Sequence, residues 1–362
     1  MSKQSAFHGS DLERVESEYG IKKEDIINFA ANVNPLGLSS LVKENLATQI
    51  DVITSYPDRE YSTLRQSIGD YCKIDPKHIV VGNGSTDLIS IMAQFIKPQK
   101  ALILGPTYSE YEREIGLSGG QVDYFELKEE DDFVLHPASL FTALKKGYDL
   151  LVICNPNNPT SGAIRTEEMS AIFAEAKKNG TFVMVDETYV EFAPDMESIT
   201  CVPLCEKHHN FICLRGVSKF YAAPGLRLGY AVTSNTDLLS LIHEKQNPWC
   251  VNSLAEFAGT YMYRDKDFQE RTKALMHTEQ KRTYEIFEKS DLYKPYKPYA
   301  NFILLKILKP ELDSAAVFEA AIRKGLMIRN CSSFPFLGDR FVRFCFMKPE
   351  DNDRLMELML SL

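Results

Sequence analysis

Short apolar runs alternate with longer amphipathic stretches through the middle of the chain. Residues 101–105 (ALILG), 150–154 (LLVIC), 182–186 (FVMVD), 211–214 (FICL) and 228–232 (LGYAV) are short, largely apolar and bounded by Gly, Pro or polar residues. Runs of this kind predict strands buried on both faces. Between two of them, 166–179 (TEEMSAIFAEAKKN) carries apolar residues at helical spacing and stops at Gly180, a residue suited to the position just past a helix. Strand–helix alternation predicts an α/β layer built on a mainly parallel sheet. Ligands of such sheets sit at the carboxyl ends of the strands.

The last third reads differently. Residues 301–307 and 341–346 predict strands, and 314–324 and 350–361 predict helices. Together they form a compact α+β unit. A long helix through roughly 255–290 is expected to join it to the larger layer, and residues 1–45 are expected to pack against the smaller unit. A chain of 362 residues is long enough for one large core and a second, smaller one. No internal repeat or low-complexity segment interrupts it.

Charge narrows the partners. Fifty acidic against 41 basic residues give a net charge of −9, which disfavours nucleic acid and anionic membrane surfaces. No apolar run approaches the roughly 20 residues that span a bilayer. The opening MSKQSAFHGSDLERVESEYG lacks the apolar stretch of a secretory leader. None of the eight cysteines forms a CxxC pair, and several lie inside apolar runs, as expected of reduced thiols in a cytoplasmic protein. The seven histidines form no HxH or HExxH pattern, so no metal centre is expected.

The informative polar residues fall at the ends of the predicted strands. Asp186 closes FVMVD; it either caps the next element or holds a cationic ligand. Lys219, in SKFYAAPGLRLGY, either extends its stem along the surface or reacts. Arg227 follows it and offers a planar fork suited to phosphate. In GNGSTDLI (82–89), Gly84, Ser85 and Thr86 open a helix after an apolar run, which makes either an ordinary strand–turn–helix junction or an anion cradle.

Taken in order and spacing, NPNNPTSG (155–162), VDETYVEF (185–192) and SKFYAAPGLRLGY (218–230) resemble the class I/II aminotransferase family of fold type I pyridoxal-5′-phosphate (PLP) enzymes. The resemblance implies an α/β fold with a large PLP-binding domain (46–265) on a mainly parallel seven-stranded sheet. It also implies a small C-terminal α+β domain (266–362), with 1–45 packing on it. Lys219 would be the lysine that forms the Schiff base with PLP and then moves the substrate's Cα proton. Asp186 would pair with the pyridinium nitrogen, and Asn158 and Tyr189 would bond the ring's phenolic oxygen. Tyr108 would stack on the ring, while Gly84, Ser85, Thr86, Ser218 and Arg227 would hold the cofactor phosphate. Arg343, in FVRFCF, would grip the substrate carboxylate, and Tyr56 would reach the partner subunit's cofactor in a homodimer. Two departures stand out. Gly216 replaces a hydroxyl residue common in relatives, and Ser161 is an extra residue where the usual pattern reads NNPTG.

Within the family, HGSDLERVESEYGIKKEDIINFAANVNPLG (8–37) and IRNCSSFPFL (328–337) are similar to the branch of histidinol-phosphate aminotransferase and threonine-phosphate decarboxylase. Both activities take a phosphorylated amino compound. Arg329, His8 and Asn34 are the candidates for a substrate phosphate or phosphonate; for Arg329 the alternative is a surface ion pair, and for His8 a loosely held terminus. The decarboxylase pattern is incomplete: Ser10 follows Gly9 where a second glycine is usual, and Phe346-Met347 replaces an arginine after the last strand. The expectation is therefore transamination of a small phosphorylated or phosphonylated amino compound. The alternative is L-threonine-O-3-phosphate decarboxylation in cobalamin biosynthesis. A PLP-binding transcription regulator would need a DNA-binding domain for which the chain has no spare basic segment.

Overall fold

The computed structural model of the chain describes residues 7–362, so residues 1–6 of the expected N-terminal segment lie outside the described residues. A two-residue strand, β1 (Ile27–Asn28), opens the series. Then come β2 (Ile79–Gly82), β3 (Lys100–Gly105), β4 (Gln121–Glu126), β5 (Leu150–Cys154), β6 (Phe182–Asp186), β7 (Phe211–Gly216) and β8 (Gly229–Val232). These seven, from β2 to β8, form one sheet in the order β2-β8-β7-β6-β5-β3-β4. Only β8 runs antiparallel to its neighbours.

The alternation of side chains explains why these strands read as unbroken apolar runs. In β5, Leu151 and Ile153 enter one core while Leu150, Val152 and Cys154 enter the other. In β7, Phe211 and Cys213 face the first core, and Ile212 and Leu214 the second. Each face is covered, so no position can be polar until the strand ends. The register then aligns those ends: Cys154 pairs with Asp186, and Asp186 with Leu214. The edge strand β4 escaped the hydrophobic pattern because QVDYFE alternates between exposed and half-buried positions.

The C-terminal strands are β9 (Tyr293–Pro295), β10 (Phe302–Ile307), β11 (Leu326–Met327), β12 (Arg329–Asn330) and β13 (Phe341–Cys345). Four of them form an antiparallel sheet in the order β12-β13-β10-β9, while β11 pairs with β1. The helix expected over 255–290 is two helices, Ser253–Met262 and Lys266–Glu288. Asp265 separates them: its side chain accepts from the Phe268 N–H and starts the second helix as an N-cap. Helix 166–179 ends as its sequence suggests, with Gly180 left-handed at φ +73°.

Among the described residues no helix is long and apolar enough to cross a membrane. All eight cysteines are unpaired.

Beneath the strand ends lies a buried ion pair. Arg215 of β7 donates from Nη2 and Nε to Glu187 Oε2 at 2.7 and 3.0 Å, and both residues are sealed from solvent. Glu187 also accepts from Thr200 Oγ1 (2.9 Å) and the Cys201 N–H (2.6 Å). Removing one charge of such a pair strands the other. Glu187→Gln is therefore expected to lower the unfolding free energy by about 3–5 kcal/mol, read from the guanidinium midpoint.

Candidate active site

The aligned ends of β5, β6 and β7 carry three loops that converge. The loop after β5 is locked by its own asparagines. Asn155 donates to Ile199 O (2.8 Å) and accepts from Ile164 N (2.8 Å). Asn157 donates to Pro106 O (2.9 Å) and accepts from Thr107 Oγ1 (2.9 Å). That bracing leaves Asn158 free to meet Arg343: Nη1 of Arg343 donates to Asn158 Oδ1.

Asp186, at the end of β6, is 5 % exposed. Oδ2 accepts from the Tyr111 hydroxyl at 2.7 Å, and Oδ1 accepts from Thr188 N (2.9 Å) and Oγ1 (2.6 Å). Among the described residues no cation pairs with it. Burial raises its pKa, and the hydrogen bonds from Thr188 and Tyr111 only partly oppose that. A buried carboxylate with neutral donors alone is poised to stabilise a positive ligand. Tyr111 carried no signal in the sequence: it lies inside helix Glu110–Leu117, and only the fold brings it to Asp186.

Lys219, in the loop after β7, donates from Nζ to Ala31 O at 2.8 Å. Burial, then the nearby Arg343 charge, pushes its pKa down to about 8. Arg343, on β13, is 4 % exposed. Its Nη2 donates to Ala30 O at 2.8 Å, its Cζ lies 5.1 Å over the Phe302 ring, and its Nε is buried without a hydrogen-bond partner. No carboxylate pairs with it among the described residues. Tyr189 joins the cluster: its ring meets Phe302 edge-on at 5.0 Å, and its hydroxyl accepts from Asn32 Nδ2 at 3.3 Å. Burial raises the Tyr189 pKa.

Glycine shapes a second corner. Gly84 has φ +88°, and a Cβ there would stand 2.3 Å from Arg227 Nη2. Arg227 lies across this turn, donating to Pro224 O (3.0 Å) and Asn83 O (3.3 Å) with no acidic partner among the described residues. Ser85 and Thr86 open helix Ser85–Ile96 beside it, both half-buried, as is Ser218. A Cβ on Gly216 would be 3.8 Å from Ser85 Oγ, so the Ser85 hydroxyl borders the place of the missing one. Tyr108 is half-buried, and its ring meets Tyr111 edge-on at 5.7 Å.

The substrate candidates divide. Arg329 is 9 % exposed, so it is not the surface ion pair that the sequence also allowed. It donates to Phe7 O and, at 2.9 Å, to Ser333 Oγ. It pairs across the sheet with Arg343, and burial followed by the Arg343 charge pushes its pKa down to about 10. His8 is exposed with Nδ1 on Ser10 Oγ at 2.8 Å; partial desolvation, Arg329 and Lys219 lower its pKa. Asn34 has another place. Its amide donates to Phe220 O (2.7 Å) and Thr272 Oγ1 (2.9 Å), and its carbonyl accepts from Leu36 N (3.0 Å). Through those bonds Asn34 braces the loop against Phe220 and Thr272. Asn32, which the sequence did not single out, has a buried Oδ1 without a partner and takes the position at the cluster instead. Tyr56 lies apart, 84 % exposed and 5.3 Å from the Trp249 ring.

Glu187, Cys201 and Cys213 bring ligand-type atoms within 4.8 Å of one another, an approach that the sequence spacing did not suggest. The Glu187 charge is already balanced by Arg215.

The residues fit PLP at both poles. Asp186 lacks a cation, as a pyridinium partner should, and the Gly84–Arg227 turn is cationic and would be filled by a single Cβ. The Arg343 and Arg227 charges both act on Lys219. Gly84→Ala is expected to weaken PLP affinity at least tenfold and, because alanine is strained at φ +88°, to lower the melting temperature by a few degrees, measured by equilibrium dialysis and calorimetry. In the cofactor-free protein Lys219 loses its proton near pH 8 instead of 10.5, so its acetylation rate should rise with a midpoint near pH 8. Arg343→Leu removes a neighbouring positive charge and should move that midpoint upward, as peptide mapping across a pH series would show.

Residues 24–358 match the family model for aminotransferase class I and II. A protein of Caldanaerobacter subterraneus subsp. tengcongensis with a provisional threonine-phosphate decarboxylase name is 34 % identical, over 92 % of this chain and 89 % of its own. The threonine-phosphate decarboxylase of Salmonella typhimurium is 31 % identical over 98 % of this chain and 96 % of its own. Among solved structures, the histidinol-phosphate aminotransferase of Clostridium acetobutylicum superposes with a TM-score of 0.85 at 29 % identity, covering 92 % of this chain and 98 % of that one. Enzymes of this family are PLP-dependent and act on small amino compounds. The chain thus belongs to the class I and II aminotransferase family, as a fold type I enzyme with PLP as its cofactor.

Proposed function

We propose that this enzyme decarboxylates a small amino acid bearing a phosphate, of the threonine-phosphate type. One observation carries the reading. Arg329 and Arg343 are directly opposed across β12 and β13, both buried, with no carboxylate partner among the described residues. Like charges placed opposite each other destabilise a sheet, and two buried guanidinium groups call for anionic ligands. A substrate with a carboxylate for Arg343 and a phosphate for Arg329 answers both. His8, within electrostatic reach of Arg329, stands at the phosphate end. The two relatives described above support the same reading through their names. It reverses the preference drawn from the sequence, whose missing decarboxylase signals were the second glycine after Gly9 and an arginine after β13.

PLP, when bound, draws electrons away from the substrate's Cα. The protein selects which bond at Cα yields. Arg343 would hold the substrate carboxylate, and the direction it gives that group would decide whether CO2 or the Cα proton is released. Lys219, with its depressed pKa, has a neutral amine available near pH 8 to hold or return a proton at Cα. Asp186 would keep the ring nitrogen protonated, and Tyr189 and Asn158 would bond the ring's phenolic oxygen. Ser85, Thr86, Ser218 and Arg227 would hold the cofactor phosphate, and Tyr108 would cover the ring. Transamination is the second reading, favoured by the likeness to the Clostridium acetobutylicum aminotransferase.

The same proposal includes a cytoplasmic homodimer. Tyr56, Ile53 and Ile50 are 84 %, 59 % and 51 % exposed, with Trp249 beside Tyr56, and a partner subunit would cover these apolar side chains. It also divides the chain near residue 265, where Asp265 starts a new helix on the way to the C-terminal sheet.

Holoenzyme incubated with O-phospho-L-threonine should release CO2, and a panel of amino donors with 2-oxoglutarate should yield little glutamate. Glutamate without CO2 would sink the decarboxylase reading. Arg329→Met should raise KM for the phosphorylated substrate roughly 10–100-fold, the loss of one or two charge-assisted hydrogen bonds.

A further inference from the structure

Ser161 is a residue that the proposed chemistry does not use, yet its hydroxyl is one of the most constrained polar groups near the site. It is fully buried and left-handed, at φ +61°, a conformation uncommon for residues other than glycine. Its N–H donates to Asn157 O at 2.7 Å, so it closes the loop that carries Asn158. Its Oγ accepts from Ala300 N at 2.9 Å and Tyr299 N at 3.2 Å, and its carbonyl also accepts from Tyr299 N at 2.9 Å. A single side chain thus clips the loop after β5 to the segment that enters β10.

Both ends of that clip reach Arg343. On the loop side, Asn158 Oδ1 accepts from Arg343 Nη1. On the strand side, Ala300 and Asn301 lead into Phe302, whose ring lies 5.1 Å from Arg343 Cζ. Asn301 Nδ2 is fastened to Asn32 O at 2.9 Å, and Ala300 O accepts from Gln280 Nε2 at 2.7 Å, so the strand side is itself rigid. Two of the three hydrogen bonds by which Ser161 sets the spacing between Asn158 and Phe302 therefore end on its hydroxyl.

We infer that Ser161 is a positioning residue for Arg343: it fixes the separation of the amide and the ring that hold the guanidinium, and through it the direction of the substrate carboxylate. The inference rests on the reading of Arg343 as the carboxylate holder. Loss of the hydroxyl leaves the Ala300 N–H buried without a partner and leaves the Tyr299 N–H to Ser161 carbonyl bond as the remaining tie, so the loop and the strand can shift and Arg343 loses its aim while Lys219, Asp186 and the Gly84–Arg227 corner keep theirs.

The test uses holoenzyme and two probes that differ only in the carboxylate, O-phospho-L-serine and phosphoethanolamine. Apparent dissociation constants are read from the visible band of the bound cofactor. Ser161→Gly tolerates the left-handed backbone and removes the hydroxyl together with its Cβ; it should lower the preference for O-phospho-L-serine about tenfold and leave phosphoethanolamine binding unchanged. Ser161→Ala, with the same hydroxyl missing but a Cβ kept, should behave alike. An unchanged preference in Ser161→Gly overturns the inference. So does equal weakening of both probes, or loss of the bound cofactor in both variants, because Ser161 would then serve the fold alone. A wild-type protein that treats the two probes alike, matched by Arg343→Leu, would instead overturn the reading of Arg343.

Discussion

Three consecutive residues, Ala30, Ala31 and Asn32, accept through their carbonyls from Arg343, Lys219 and Asn301. This short stretch of backbone is where the N-terminal segment, the large sheet and the C-terminal sheet meet. Its geometry dictates the separation between the amine at Lys219 and the guanidinium at Arg343. The chain protects it closely: a Cβ on Gly9 would lie 2.6 Å from Ala31 Cα and 2.7 Å from Ala30 O, so only glycine lets the turn beside His8 pass over it. Asn28 adds a further tie, donating to Gly9 O at 2.7 Å. A backbone platform suits this task because carbonyls are strong acceptors that cannot rotate away.

The electrostatics around that platform are deliberately unbalanced. Asp186 is a buried acid with neutral donors only, and Arg343 and Arg329 are buried bases without acids among the described residues. In a structural network such groups would pair with each other, as Glu187 and Arg215 do one layer below. Here they stand apart, and each favours a ligand of opposite sign. The unpaired charges also act on the residues between them: Arg343 helps lower the Lys219 pKa, so the group that must become a neutral amine is helped toward that state by the group that waits for an anion.

Much of this was legible in the chain. Asp186, Lys219 and Arg227 stood out because polar residues beside doubly covered strands gather at their ends: Asp186 closes one apolar run, Lys219 follows another and Arg227 precedes a third. Gly84 could be found because a turn before a helix leaves a mark in the sequence. The break at Asp265 was less visible: no proline or glycine announces it, only an N-cap side chain. Strand β4 was missed because an edge strand need not be apolar.

What the sequence by itself determined was therefore local: strand ends, turns, caps and the ordered motifs that name the cofactor. Only the tertiary structure decided which distant residues share a site. Tyr111 reaches Asp186 from within a helix, Asn32 rather than Asn34 faces the cluster, and Arg329 meets Arg343 across a sheet. Ser161 looked like an extra loop residue, and its role emerged once Tyr299 and Ala300 were seen to donate to it. Hydrophobic periodicity records how an element meets its core; it does not record which polar group of another element lies across the site, because that is set by packing angles and register and not by neighbours along the chain.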